Sequence, residues 1–360
     1  MTNLKYIDVE SLDAKQLLAQ FRATGFVMFV GSAVSAFQPS ELPTGESLTS
    51  TVAKVLSDPL DSRAQIKAWI SSAAFEHIMD GCPNGKVLGE NLLQLFSINK
   101  PNPLHDVIAE LIADEVIEHI VTTNYDTNLE TACGVKCLPT NKPQLIVTKS
   151  EAENIKFPVA TIFKIHGSVD HDRTLAADQD RTMVYTLRRE GELPPWKRGI
   201  LHRLVGGRRL LICGYSGRDF EICPELPRLN AQIVWNIRKR EDLTPNARRV
   251  ITATDGIVLV GDLRKVLAEL RNTDIRRDPE PIAAIASNIR NNIADLIFQE
   301  HDRMGFGSLA GANSRWNRCS YRRHSFGNED AEWKWFRCRP AHSLSSGSLC
   351  VSRVNSRATQ

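Results

Sequence analysis

The sequence predicts an α/β fold: a Rossmann-like, doubly wound parallel sheet of about six strands with a helical insertion after the first strand. Three observations carry this expectation. Short aliphatic runs lack polar alternation, helical periodicity fills the stretches between them, and each run ends in small or polar residues.

The runs are 26–30, 119–123, 159–165, 209–213, 232–236 and 256–260. Uninterrupted apolar character suits strands covered on both faces, as in a parallel sheet. Residues 11–23, 64–79 and 264–271 read as helices. Leu104, Val107, Ile108, Leu111, Ile112, Val116 and Ile117 recur at three-and-four spacing and form one apolar stripe. About ninety residues separate the first two strands, more than one crossover helix needs. Residues 46–100 are therefore expected to hold the insertion, as a lid, a specificity wall or a structural cap. The main domain is expected over 1–275. Pro279 and Pro281 break the chain before a C-terminal helix within 276–304, centred on 283–299.

Beyond residue 305 periodicity stops. That tail has no isoleucine, three of the six tryptophans and a net charge of +6, whereas the first 304 residues sum to −3. So little aliphatic content cannot build a core, and a disordered or aberrant tail is expected rather than an interaction module. The mildly acidic body gives no electrostatic footprint for nucleic acid. No apolar run approaches the ~20 residues that span a bilayer. The first residues lack the order of a secretory signal, so a cytoplasmic location is expected. Eight cysteines are scattered without a C-x-x-C pair. Cys133 and Cys137 offer at most half of a metal set, and no zinc is expected.

Chemistry-bearing residues gather at the strand ends. After the first run, Gly31, Ser32, Ala33 and Ser35 form a small-residue turn that lets backbone N–H groups and hydroxyls approach a phosphate. A tight turn alone explains the same residues. After the second run come Thr123, Asn124, Tyr125 and Asp126. Asn and Asp here serve either as helix caps or, because alternate residues of an extended stretch share a face, as an amide and a carboxylate on one crevice wall. His166 ends the third run and precedes Gly167; it reads as a structural hydrogen bonder or a proton acceptor near neutral pH. Gly214, Tyr215 and Ser216 follow the fourth run, with Asp219 positioned to cap the next turn. Asn236 ends the fifth run, and Gly261 and Asp262 follow the last. In an open α/β sheet this edge is where a nucleotide lies.

The order of these blocks resembles the sirtuin superfamily, in particular its NAD-hydrolysing branch found in bacterial anti-phage systems. The specific part is Thr122-Thr123-Asn124-Tyr125-Asp126 followed by Lys164-Ile165-His166-Gly167-Ser168; the glycine loops support it. The resemblance implies NAD as the substrate. It implies that Gly31, Ser32, Ala33 and Ser35 lie at the pyrophosphate, and that Asn124 holds the nicotinamide ribose and the attacking water, beside Thr123. Asp126 would bind the carboxamide and His166 would act as general base on the ribose hydroxyls. Gly214, Tyr215 and Ser216 would line the phosphate and adenosine-ribose site, Asn236 the adenosine ribose, and Asp262 the adenine side. It further implies a homo-oligomer, or a defence partner of ATPase or Argonaute-like type. Sirtuin deacylases carry G-A-G at the first loop, where this chain has Ala33 in the second glycine position, and a four-cysteine zinc module that this chain lacks. The missing cysteine module favours water over acyl-lysine as acceptor, whereas a methyl group at Ala33 would crowd the pyrophosphate unless the loop runs differently. Protein deacylation, ADP-ribosyl transfer and a non-catalytic NAD or ADP-ribose sensor are the alternatives.

Overall fold

A computed structural model of the chain describes residues 4–49, 94–156, 158–173, 182–184, 192–219 and 221–272. The helices expected at 64–79 and 283–299, most of the 46–100 insertion and the tail from 305 lie outside the described residues.

Eight strands form one sheet: β1 (Lys5–Asp8), β2 (Phe26–Val30), β3 (Ile117–Thr122), β4 (Gln144–Ile146), β5 (Thr161–Lys164), β6 (Arg209–Cys213), β7 (Gln232–Ile237) and β8 (Ile257–Val260). Their order is β1-β8-β7-β6-β2-β3-β5-β4, and every neighbouring pair is parallel. The expectation of about six strands is corrected to eight. The two additions are the sheet edges, and both are short and partly polar (Lys-Tyr-Ile-Asp and Gln-Leu-Ile), so neither shows an apolar run.

Helices cover both faces: α1 (Leu12–Thr24), α2 (Pro103–Ala113), α3 (Asn128–Lys136), α4 (Lys149–Glu153), α5 (Val169–Arg173), α6 (Pro195–Val205), α7 (Pro245–Thr254) and α8 (Leu263–Arg271). Strand β2 shows why they must. Phe26, Met28 and Val30 pack into a core with α1, α2, α3 and α8, while Val27 and Phe29 enter a second core with α6 and α7. Successive side chains of a strand point to opposite faces, so five consecutive apolar residues demand two apolar layers.

The stripe from Leu104 to Ile117 does not stay helical to its end. Helix α2 stops at Ala113, Glu115 turns the chain at φ 60, and Ile117 opens β3. Val116 donates its N–H back to the Leu111 carbonyl at 2.9 Å, so helix and strand are joined by a tight turn that keeps the apolar spacing intact.

All strands run the same way, so all their carboxyl ends share one edge. The chain leaves β2 toward β3 on one side and returns through β6 on the other, which puts the topological switch point between β2 and β6.

Candidate functional site

The turn after β2 is a short 3-10 helix, Ser32–Ala36, and it directs Ser35 into the protein. The Ser35 hydroxyl lies 3.0 Å from Asp126 Oδ2, 3.1 Å from His105 Nε2 and 3.3 Å from Asn124 Nδ2. Proton positions follow from chemistry. A carboxylate only accepts, so Ser35 donates to Asp126. His105 Nδ1 accepts the Asn102 N–H at 3.1 Å, so Nε2 carries the proton and donates to Ser35. Asn124 donates to the remaining lone pair. The hydroxyl is thereby saturated, with one bond donated and two accepted.

This network orients the Asn124 amide and leaves its Oδ1 buried with no hydrogen-bond partner among the described residues. Asp126 Oδ1 accepts the Asn128 N–H at 3.1 Å, which starts α3. Asn124 and Asp126 thus reach one point from the same wall, as their alternate spacing predicts. His105 is a capping residue of α2, paired with Asn102. Burial pulls its pKa down to about 4 against the opposing pull of Asp126, so the ring is neutral.

Lys164, at the end of β5, is fully buried and holds the 123–127 loop. Its ammonium donates to the Asp126 carbonyl, to the Tyr125 carbonyl at 3.3 Å and to Glu130 Oε1 at 2.7 Å. Two residues later His166 is buried beneath Tyr125, whose ring stacks on it at 6.5 Å. His166 Nε2 lies 3.0 Å from Glu221 Oε1, a charge contact not aligned as a formal hydrogen bond. Burial pushes the His166 pKa down, but the carboxylates of Glu221 and Asp219 outweigh it and hold the value above 6.5.

The glycine loops meet backbone to backbone. Gly31 N–H donates to the Cys213 carbonyl at 2.9 Å and Ala33 N–H to the Gly214 carbonyl at 3.1 Å. A Cβ at Gly31 would stand 2.3 Å from the Gly214 oxygen, so only glycine permits this approach. Two N–H groups expected to face a phosphate therefore bridge β2 and β6. Ser32 is half-buried and accepts the Gly45 N–H at 3.4 Å, which leaves its proton to donate. Thr123 is half-buried and Ser216 is exposed. Tyr215 turns into the core: its ring stacks on Trp235 at 5.6 Å and its hydroxyl donates to Asp219. Asn236 Nδ2 ties β7 to the Leu259 and Gly261 carbonyls, both at 3.1 Å. Asp262 caps α8 through the Arg264 N–H at 2.8 Å and pairs with the Arg264 guanidinium.

Residues 118–234 match the family model described as SIR2-like domain. Over that stretch the chain is SIR2-like. The match includes Asn124, Asp126, His166 and the Gly214 loop and leaves the Gly31 loop, Asn236 and Asp262 outside. Three solved structures align with the chain. A triple mutant of a Sir2 homologue in complex with 2'-O-acetyl ADP-ribose has 16% identity and TM-score 0.42, over 71% of this chain and 94% of that one. A structure on the mechanism and regulation of Sir2 enzymes has 12% identity and TM-score 0.38, over 81% and 99%. A Sir2 homologue–NAD complex has 13% identity and TM-score 0.41, over 81% and 97%. No curated protein matches the chain.

Two residues of the candidate site are not marked by any motif in the sequence. His105 sits among the apolar positions of α2, and Glu221 lies in a loop without a motif. Each left a faint signal: Asn102-Pro103 is a helix start that needs its third residue as a partner, and Glu221 interrupts an apolar stretch ending in Ile222 and Cys223. A cavity of about 540 Å³ opens beside the site, lined by Thr127, Glu130, Lys142, Ser168, Asp170 and His171 among others. None of Asn124, Asp126, His166 or the glycine loops lines it. Among the described residues no cluster of His, Cys, Asp and Glu is placed to hold a metal ion, and no helix is long and apolar enough to cross a membrane. Cys133 and Cys137 are free, buried thiols.

Proposed function

We propose that the SIR2-like domain cleaves NAD at the bond between nicotinamide and ribose, with water as acceptor. The observation that carries this reading is the Asn124 amide. Its nitrogen is fixed by Ser35, and its buried carbonyl oxygen has no hydrogen-bond partner among the described residues. A buried acceptor left open is costly unless something fills it, and a ribose hydroxyl or a water is a suitable donor.

NAD supplies a pyridinium leaving group that departs neutral, so no strong acid is required. The residues supply orientation and charge. Asn124 Oδ1 holds the hydroxyl or the attacking water. Asp126, held by the Ser35 hydroxyl and the Asn128 N–H, places a carboxylate beside it for the carboxamide. His166 takes a proton from a ribose hydroxyl or the water. Ser32 and Ser216, at the surfaces of the two glycine loops, are the hydroxyls we assign to the phosphates, with Thr123, Asn236 and Asp262 toward the riboses and adenine. The order of the Asn124 and His166 blocks supports a setting in bacterial antiviral defence, with activity released by self-assembly or by an ATPase or Argonaute-like partner.

The test is incubation of the purified chain with NAD, with nicotinamide and ADP-ribose quantified and the oligomeric state measured in parallel. Nicotinamide release without any peptide is expected, and Asn124→Ala should lower it by about 10²-fold or more. Release only in the presence of an acyl-lysine peptide would establish deacylation instead. NAD binding without turnover in every oligomeric state would establish a sensor.

A further inference from the structure

The buried carboxylate facing His166 is the feature that the proposed chemistry has not used. Glu221 is 4% exposed, and neither of its oxygens has an aligned hydrogen-bond partner among the described residues, although Oε1 stands 3.0 Å from His166 Nε2. A carboxylate at this depth is unfavourable unless it faces a positive or proton-bearing group. The loop that carries it is built to hold it there. Asp219 Oδ1 accepts the Ile222 N–H at 3.1 Å, and Asp219 Oδ2 accepts the Tyr215 hydroxyl. Gly217, at φ +69, folds the loop against Trp235, and Cys223 Sγ donates to the Gly217 carbonyl at 3.5 Å. The Glu225 N–H then closes the far side on the Ile222 carbonyl at 2.9 Å.

We propose that Glu221 is the positioning residue for His166: it fixes the imidazole with its proton on Nε2, leaves Nδ1 as the lone pair that takes the substrate proton, and stabilises the imidazolium so formed. The inference rests on the NAD-cleaving reading above. A carboxylate can only accept, so the ring nitrogen facing it carries hydrogen, and the other nitrogen is the base. In the step, the O–H bond of the ribose hydroxyl or water breaks, its electron pair stays on oxygen, and the proton bonds to Nδ1. The same logic operates in any His–carboxylate pair, where the acid orients the base and answers its charge without taking the proton.

The charged groups around His166 agree with this role. Glu221 and Asp219 favour the imidazolium, while burial and Lys197 oppose it. Lys197, on α6, donates to the Ile165 carbonyl at 2.5 Å, and Glu221 counteracts the burial that lowers its pKa. The Glu221 charge thus acts on both Lys197, which is fixed to the backbone, and His166, which is left to react. The Tyr125 ring stacks alongside the imidazole at 6.5 Å.

The experiment combines kinetics with histidine NMR on the full chain, for wild type, Glu221→Gln and Glu221→Asp. Nitrogen shifts of His166, assigned with His166→Ala, should show the Nε2–H tautomer in the wild type and a lower titration midpoint in Glu221→Gln. Glu221→Gln should lower NAD turnover by about 10²-fold with NAD affinity retained, and move the acid limb of the pH–rate profile downward. Glu221→Asp should restore part of the rate and of the acid limb. An Nδ1–H tautomer in the wild type would overturn the proposal even if the Gln variant fails to fold. A Glu221→Gln variant with unchanged rate and unchanged His166 midpoint would overturn it as well. Absence of NAD turnover in the wild type would overturn the function proposed above, while tautomer and titration would still decide whether Glu221 governs His166.

Discussion

A single hydroxyl organises the Asn124–Asp126 wall. Ser35→Ala removes the acceptor for His105 and Asn124 and the donor to Asp126, leaving each group buried without a match. The expected loss is roughly 1–3 kcal/mol for each group left unsatisfied, read from urea denaturation. NAD turnover should fall by about 10²-fold, because the Asn124 amide becomes free to rotate. Wild-type stability together with wild-type turnover would show that Ser35 organises nothing. Alternate spacing made the shared face of Asn124 and Asp126 legible in the sequence. The role of Ser35 was not legible: a serine in a turn after a strand reads as a phosphate donor, yet its partners lie 70 and 91 residues away. His105 and Glu221 were hidden for the same reason, since each acquires meaning only when a distant element packs against it.

Among elements, the junction of β2 and β6 carries the tightest constraint. The Gly31 and Gly214 loops exchange backbone contacts, and any Cβ at Gly31 meets the Gly214 carbonyl and the Tyr215 Cα, 2.5 Å away. Backbone atoms of a central strand pair have no room to yield. Gly31→Ala is therefore expected to destabilise by about 3 kcal/mol or more, a drop in melting temperature of roughly 6–12 °C for a domain of this size. A melting temperature within a degree or two of wild type would mean that the two loops part freely. The central strands were legible because burial on both faces forces unbroken apolar runs. Strands β1 and β4 were not, because an edge strand three or four residues long needs only half its side chains buried and pairs through its backbone. The end of α2 was misplaced because the three-residue turn keeps helical spacing into β3.

At the scale of the whole molecule, three buried histidines among the described residues contribute to the dependence of stability on pH, and they pull in two directions. His105 and His119 are both lowered to about 4, His105 by burial against Asp126 and His119 by burial reinforced by Arg208. The unfolded chain takes up these protons near pH 6.5, the folded chain only near pH 4. Stability from these two sites is complete above pH 6.5 and is lost as pH falls through 4. His166 has the opposite sign: its raised value gives stability that is fully present below pH 6.5 and disappears as pH rises through the folded value. Below pH 6.5 the His166 contribution can grow no further, so acidification exposes the loss from the other two. The unfolding free energy from urea denaturation should fall steadily between pH 6.5 and 4, by roughly 3 kcal/mol for a site lowered as far as His105, with His119 adding to it. His119→Gln should flatten the slope without abolishing it, because His105 still titrates. A midpoint that stays level from pH 7 to 4.5 in the wild type would contradict neutral burial of His105, and with it the acceptance of the Asn102 N–H by its Nδ1.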